Sequence, residues 1–295
     1  MRVVYDLFRD GLSAVNTAAR QLETARQQVA TGQRISVASD DPLGMQQAIG
    51  EHSNLAAIDA YTRSRDSAAS KLGAADNVLS SIVDKISSSI VAGTGARGSE
   101  VDATARAALS QTVRGLRDSL LGDLNTKFNG AYLFSGTAAD TAAYAQVGGV
   151  WTYQGNSDTT QVEVEQGQLV STSFDGQSLV EGSDSTDLFT TLDALATAID
   201  AGDNDAIGTA LSALDRAFNR ALQAQGRLGA DERGVDDATA RLSALKTAAD
   251  TRRANLEQVD LAAAVTKMSQ ADTAYRAALG AVSSAERVSL LDYLR

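Results

Sequence analysis

The chain has 295 residues, enough for one large or two modest domains, with a single proline, no cysteine and one histidine, His52. Disulfides, thiol nucleophiles, thiolate metal sites and imidazole clusters are thereby excluded, and so little proline suits long uninterrupted helices. The net charge of −11 argues against nucleic acid, which needs a basic face, and no apolar run reaches the ~18 residues of a membrane span.

The first helix is predicted over residues 6–30. Tyr5, Phe8, Leu12, Val15, Ala19, Leu22 and Val29 step by three and four, broken only at Arg26. Such a rhythm lays one apolar strip along a helix, and the strip must be buried against another helix. Gly32 is the expected stop. Ser36 to Asp41 is a polar connection, after which Asp41 caps and Pro42 opens a second helix at the position where its missing N–H costs nothing. Whether the loop from Gln33 to Pro42 is only a capped turn or also meets a neighbouring subunit stays open. Ile58, Tyr61, Ala68, Leu72, Ala75, Leu79, Ile82, Ile86 and Ile90 carry the period onward, and forty such residues span roughly 60 Å. Gly93, Gly95 and Gly98 match G-x-G-x-x-G, but helix-period sequence precedes them where a dinucleotide loop needs a strand. They are predicted to form a helix–helix loop. A returning helix over residues 100–127 turns Val101, Ala105, Leu109, Val113, Leu116, Leu120 and Leu124 inward.

After Gly136 the period changes to two. Val150–Tyr153, Gln161–Glu165 and Leu169–Val170 read as strands of a small sheet, separated by Gly148-Gly149, Gly155-Asn156 and Gly167 turns. Trp151 is the expected core residue of that sheet. No lysine or arginine occurs from Phe128 through Asp215, where 13 acidic residues stand, so this stretch is expected to lie outermost, in water. Helices resume at Asp187 and continue past Gly226, Gly229 and Gly234. The last helix repeats the first one's rhythm with Leu261, Val265, Met268, Tyr275, Leu279 and Val282, widened by Ala264, Ala271, Ala278 and Ala285.

Both terminal stripes need partners, and the natural partner of each is the other, or the ends of neighbouring copies. The expected fold is mainly α. Long antiparallel helices form a coiled-coil or bundle rod with paired N- and C-terminal helices and a small inserted β domain. Its divisions are a terminal coiled coil (residues 1–45 and 256–295), a helical bundle (46–136 and 186–255) and a small acidic β-rich domain (137–185). Asp40-Asp41 and Asp236-Asp237 read as caps and solvated helix starts rather than acid–base pairs. No catalytic, cofactor or metal site is expected, and no membrane insertion. Arg2, Asp6, Arg9 and Asp10 interrupt what would be the apolar core of a cleavable signal peptide, so none is expected.

Three motifs carry a resemblance. Thr31-Gly32-Gln33-Arg34-Ile35 with Ser39-Asp40-Asp41-Pro42 is similar to the signature after the first helix of bacterial flagellins and hook–filament junction proteins. Asn125-Thr126-Lys127 with Gly130-Ala131-Tyr132-Leu133-Phe134-Ser135-Gly136-Thr137 resembles the stretch that closes their first helix pair. Val288 to Leu294 is similar to the junction-protein C-terminus. Thr31, in place of the usual serine, and the final Arg295 depart from the junction pattern. The resemblance implies a structural protein exported through the flagellar type III apparatus into the extracellular axis. Its implied partners are its own copies in a helical or tubular assembly, the first hook-associated protein, flagellin and an export chaperone. The implied position is between hook and filament; the alternatives are a flagellin filament subunit and, more remotely, a cytoplasmic coiled-coil scaffold. The expected assembly residues are Tyr5, Phe8, Leu12, Val15, Leu22, Val29, Arg34, Ile35, Asp40 and Asp41 near the front, and Leu261, Val265, Met268, Tyr275, Leu279, Val282, Leu290 and Leu294 at the back.

Overall fold

The computed structural model describes residues 2–98 and 101–293, with side chains described over 9–98 and 101–284. The chain divides into two compact units, unit 1 from Met1–Ala57 with Leu245–Arg295 and unit 2 from Ile58–Ala244. The helices are α1 (Arg2–Thr31), α2 (Pro42–Ala96), α3 (Ala103–Leu124), α4 (Gly176–Val180), α5 (Leu188–Ala201), α6 (Asn204–Glu257) and α7 (Leu261–Tyr293). Between α3 and α4 lie β1 (Lys127–Phe128), β2 (Ala131–Tyr132), β3 (Tyr144–Val147), β4 (Val150–Tyr153), β5 (Gln161–Glu165) and β6 (Gln168–Ser171).

In unit 1, α1 and α7 pack along each other, so the expected pairing of the terminal helices is present. The pair is antiparallel: Gly11 near the front of α1 lies against Val282 near the end of α7, and the Val259 amide donates to the Gly32 carbonyl at 3.0 Å. Gly32, at φ +70°, ends α1 in the left-handed conformation that a glycine adopts without strain. Asp41 accepts from the Gly44 amide at 2.9 Å and so caps α2 where Pro42 begins it.

Unit 2 holds the main core, built from Leu72, Leu79, Ile82 and Ile86 of α2, Val113, Leu120 and Leu124 of α3, Leu192, Leu195 and Ile199 of α5, and Leu214 and Leu228 of α6. The expected loop at Gly93–Gly98 is a correction. α2 continues through Gly93 and Gly95 to Ala96. A Cβ on Gly93 would meet Leu211 at 2.8 Å and Leu195 at 3.0 Å, so this glycine serves close packing and not a turn. The next helix starts at Ala103, where Asp102 accepts from the Ala105 amide at 2.7 Å.

The expected single sheet is instead three separate antiparallel hairpins, β1–β2, β3–β4 and β5–β6. Asn129 and Gly130, both at positive φ, close the first, as Gly148 and Gly149 close the second. Each two-stranded hairpin is too small to stand alone, and each draws support from the helical core. The Asn125 side chain does what a third strand would do: its amide donates to the Tyr144 carbonyl and its oxygen accepts the Tyr144 amide, each at 2.9 Å. Tyr144 is fully buried, edge-on to Phe189, and its hydroxyl donates to the Gly176 carbonyl; burial pushes its phenol well above the ordinary range. Trp151 is half-buried and packs against the same core beside Phe189. The Phe134 carbonyl accepts from the Gly176 amide and the Tyr153 hydroxyl, and the Gly136 amide donates to the Phe174 carbonyl. The stretch from Tyr132 to Gly136 therefore threads between two neighbouring segments and ties the hairpins to the helices.

Four carboxylates of the acidic stretch pair with arginines that lie outside it in sequence. Arg114 pairs with Asp200, Arg117 with Asp193, Arg216 and Arg220 with Asp184, and Arg241 with Glu165. Asp175, Asp187 and Asp203 are spent as helix caps. The linear spacing hid these partners, which come from α3 and α6.

Candidate assembly interface

Each terminal helix carries an inner apolar row, with larger apolar residues on its flank. The inner row of α1 is Gly11, Val15, Ala18, Leu22, Ala25 and Val29, and that of α7 is Ala264, Met268, Ala271, Tyr275, Ala278 and Val282. Both alternate steps of four and three, and both place small residues at every second position, which lets two helices approach closely. A Cβ on Gly11 would stand 2.9 Å from Val282. The rows legible in the sequence share Val15, Leu22 and Val29 with the inner row of α1, and all six residues of the inner row of α7. What they add lies on the flank: Leu12 is 43% exposed, Leu261 57%, Val265 45% and Leu279 43%. Leu12, Val265 and Leu279 each follow an inner-row residue by one position, which turns a side chain about 100° round the helix. The pairing of α1 with α7 thus buries the small-residue row and leaves a second row of larger residues in water.

The remaining expected residues divide as follows. Val15, Val29, Met268, Tyr275 and Val282 are half-buried in the intrachain seam. Leu22 and Ile35 are buried inside the chain, at 5% and 4% exposed, so no neighbour reaches their side chains in this conformation. Ile35 packs where Gly44 lacks a Cβ. The side chains of Tyr5, Phe8 and Leu290, and the whole of Leu294, lie outside the described residues.

Arg34, Asp40 and Asp41 are brought together and make intrachain bonds. The Arg34 amide donates to the Glu257 carbonyl at 2.6 Å, and its guanidinium donates to the Leu256 carbonyl and to Asp41. Asp40 accepts from the Ser36 and Val37 amides, and these bonds hold its carboxyl below the usual range. Asp41 is held below it by the Gly44 amide first and Arg34 second. Beside them His52 meets Glu257 at 2.7 Å, and Glu51 holds Arg252. The bonds seen among these polar groups all lie within the chain, and beyond capping α2 they tie the loop to the end of α6. Exposed apolar residues that the heptad rhythm missed are Val37 on this loop and Leu43 and Ile49 on the first turns of α2, where the surrounding sequence has no long apolar period to reveal them.

The two units differ in charge and core. Unit 1 holds 12 basic and 12 acidic side chains, unit 2 holds 14 and 25, so the entire net charge of −11 belongs to unit 2. Among the described side chains of unit 1, the buried apolar residues are Ala18, Leu22, Ala25, Ile35, Ala48, Ala249 and Ala264, only two of them larger than alanine. Burying a leucine or isoleucine contributes about 1.5–3 kcal/mol, which is small beside the ordering cost of so many residues. Among the described residues no group of three His, Cys, Asp or Glu side chains could hold a metal ion, and no helix is long and apolar enough to cross a membrane.

Comparison with known proteins places this geometry. Residues 11–139 match the bacterial flagellin N-terminal helical region, and residues 211–294 match the bacterial flagellin C-terminal helical region. The chain belongs to the bacterial flagellin family. Within it, the chain is 26% identical to flagellar hook-associated protein 3 of Escherichia coli over 308 residues, spanning 96% of each. A flagellar hook-associated protein of Vibrio parahaemolyticus shares the fold at a TM-score of 0.70, with 22% identity, over 74% of this chain and all of that one. The flagellar junction protein FlgL of Legionella pneumophila does so at 0.62, with 14% identity, over 72% of this chain and all of that one. The role is structural and axial, in the bacterial flagellum. The two matched regions coincide with the helical ends that meet in unit 1 and with the long helices of unit 2, and the hairpins from Asp140 onward fall between them.

Proposed function

We propose that this chain is a hook–filament junction subunit that assembles through unit 1. The observation that carries the reading is the outer apolar row, Leu12 with Leu261, Val265 and Leu279, left in water on a unit with almost no core and no net charge. Neighbouring copies bury that row without facing like charge, while unit 2, with its own core and all the net charge, repels its like over most of its surface. Contacts of this kind, made head-to-tail and not closing, generate helical or tubular axes. The similarity to hook-associated protein 3 supports the junction position over that of a filament subunit, with the first hook-associated protein on one side and flagellin on the other. The chain works by assembly alone and not as an enzyme. It reaches the flagellum by the type III route without a cleavable signal, carried by an export chaperone.

The test is to label the protein along purified flagella and to delete its gene. The label is expected in one narrow band between hook and filament, and the deletion strain is expected to make hooks and shed flagellin into the medium. Label along the whole filament, or a deletion strain with normal filaments, would overturn the junction position.

A further inference from the structure

The β3–β4 hairpin is unlike the rest of unit 2. Thr141–Ser157 is the longest run of the chain without Asp, Glu, Lys, Arg or His, and it lies in the unit that carries all the net charge. Tyr144, Trp151 and Tyr153 turn toward the core, while Ala145, Val147, Val150 and Thr152 share the outward face. Val147 and Val150, flanking the Gly148-Gly149 turn, are 56% and 59% exposed. Among the described residues the hairpin pairs with no third strand. On its β3 side the Asn125 amide closes the backbone groups of Tyr144. On its β4 side a two-residue turn directs the N–H and C=O of Trp151 and Tyr153 outward, and no backbone partner for them occurs among the described residues. Exposed strand edges are ordinarily guarded by charge. The β5–β6 hairpin is guarded in this way, with Glu163 and Glu165 on β5 and Arg241 against Glu165. The β3–β4 hairpin has no such guard.

We infer that the outward face of the β3–β4 hairpin is a second contact between copies, set against unit 2 of the neighbouring subunit. Charge selects that occupant. Two units of net −11 repel over most of their surface, and this hairpin is an uncharged place where one can approach another. Size selects it too. A face of four small side chains falls well short of the ~1,000 Å² that an independent complex needs. It contributes only between partners already held together, whose local concentration reaches the millimolar range. Copies joined through unit 1 are such partners, so the inference rests on the assembly reading above.

With no cysteine in the chain, single-cysteine variants test it directly. Val150→Cys, Leu279→Cys and Thr112→Cys, the last on an exposed position of α3, are each expressed in the deletion strain, and isolated flagella are treated with a short bis-maleimide. Val150→Cys is expected to give a ladder in multiples of the 30.7 kDa chain in flagella and only monomer in dilute solution. Thr112→Cys is expected to stay monomeric in both. A ladder from Leu279→Cys without one from Val150→Cys overturns the hairpin contact and leaves assembly through unit 1 intact. Ladders of equal strength from Val150→Cys and Thr112→Cys overturn it as mere crowding. A Val150→Cys adduct of a mass that is not a multiple of the chain assigns the face to a different protein and overturns it as well. No ladder from Leu279→Cys or Val150→Cys overturns both readings.

Discussion

The guanidinium of Arg34 holds the carbonyl oxygen of Leu256 with two N–H groups, Nε at 3.2 Å and Nη2 at 2.9 Å. That carbonyl belongs to the last turn of α6, where helix carbonyls lack intrahelical donors. The same side chain reaches Asp41 at the start of α2, so one arginine satisfies the end of one helix and the cap of another. Arg34→Ala is therefore expected to lower the stability of unit 1, on the ~1 kcal/mol scale of a lost cap. Arg34→Lys should recover little of it, because a point charge cannot make the forked contact. Hydrogen exchange of the amides near Glu257 and Val259 measures the effect. Unchanged protection in Arg34→Ala, with impaired assembly, would shift the role of Arg34 to a neighbour.

The two apolar rows separate folding from assembly. Leu12 and Leu279 are exposed in the chain, so Leu12→Asp with Leu279→Asp should leave the melting curve nearly unchanged and abolish incorporation into flagella. Leu22 lies in the inner row, and Leu22→Asp buries a charge between α1 and α7, which should separate that pair in the monomer itself. Circular dichroism and incorporation assays distinguish the variants. Equal loss of helicity in both would mean that the outer row also holds the chain together.

Much of this architecture was legible because period and punctuation are local. Heptads at both ends, Gly32, and Asp41 before Pro42 each act within a few residues. What the sequence concealed is of two kinds. Small residues carry little periodic signal, so Gly11, Ala18 and Ala25 did not announce the inner row of α1, and Gly93 read as a turn although it packs against Leu195 and Leu211. Long-range partners carry none. Arg117 with Asp193 and Arg241 with Glu165 meet only after folding, so nothing local marks which acidic residues are paired. Asn129-Gly130 is by contrast a strong local hairpin-turn signal, and it closes β1–β2.

Gly136 sits at φ +67°, and a Cβ there would overlap the carbonyl oxygen of Asn156. The Asn156 side chain meanwhile bonds the amide and hydroxyl of Thr137, so it cannot move away without losing both. Gly136→Ala is expected to destabilise unit 2 by about 2–3 kcal/mol, combining left-handed strain with displaced backbone. Asn125→Leu should cost about 1–3 kcal/mol by leaving the Tyr144 amide and carbonyl unpaired. Denaturant midpoints give both values, and a Gly136→Ala midpoint equal to that of the parent chain would contradict the crowding.

Two carboxylates set opposite pH responses in unit 2. Hydrogen bonds from Arg216 and Arg220 hold the Asp184 carboxyl below its ordinary range. Folding then favours its ionised form, so its contribution is present above the ordinary carboxylate value and is lost as pH falls through the lower, folded value. Glu232 is shifted the other way, by burial first and by Asp76 and Asp236 next. Its ionised form is a cost to the folded state at neutral pH, and the cost fades as acid protonates it in both states. Melting temperatures from pH 7 down to about pH 3 should therefore fall less steeply in Asp184→Asn than in the parent chain. Glu232→Gln should melt higher than the parent at pH 7 and converge with it toward about pH 4. Parallel curves for Asp184→Asn and the parent would remove Asp184 from the acid response, and a Glu232→Gln curve below the parent at pH 7 would reverse the sign assigned to Glu232.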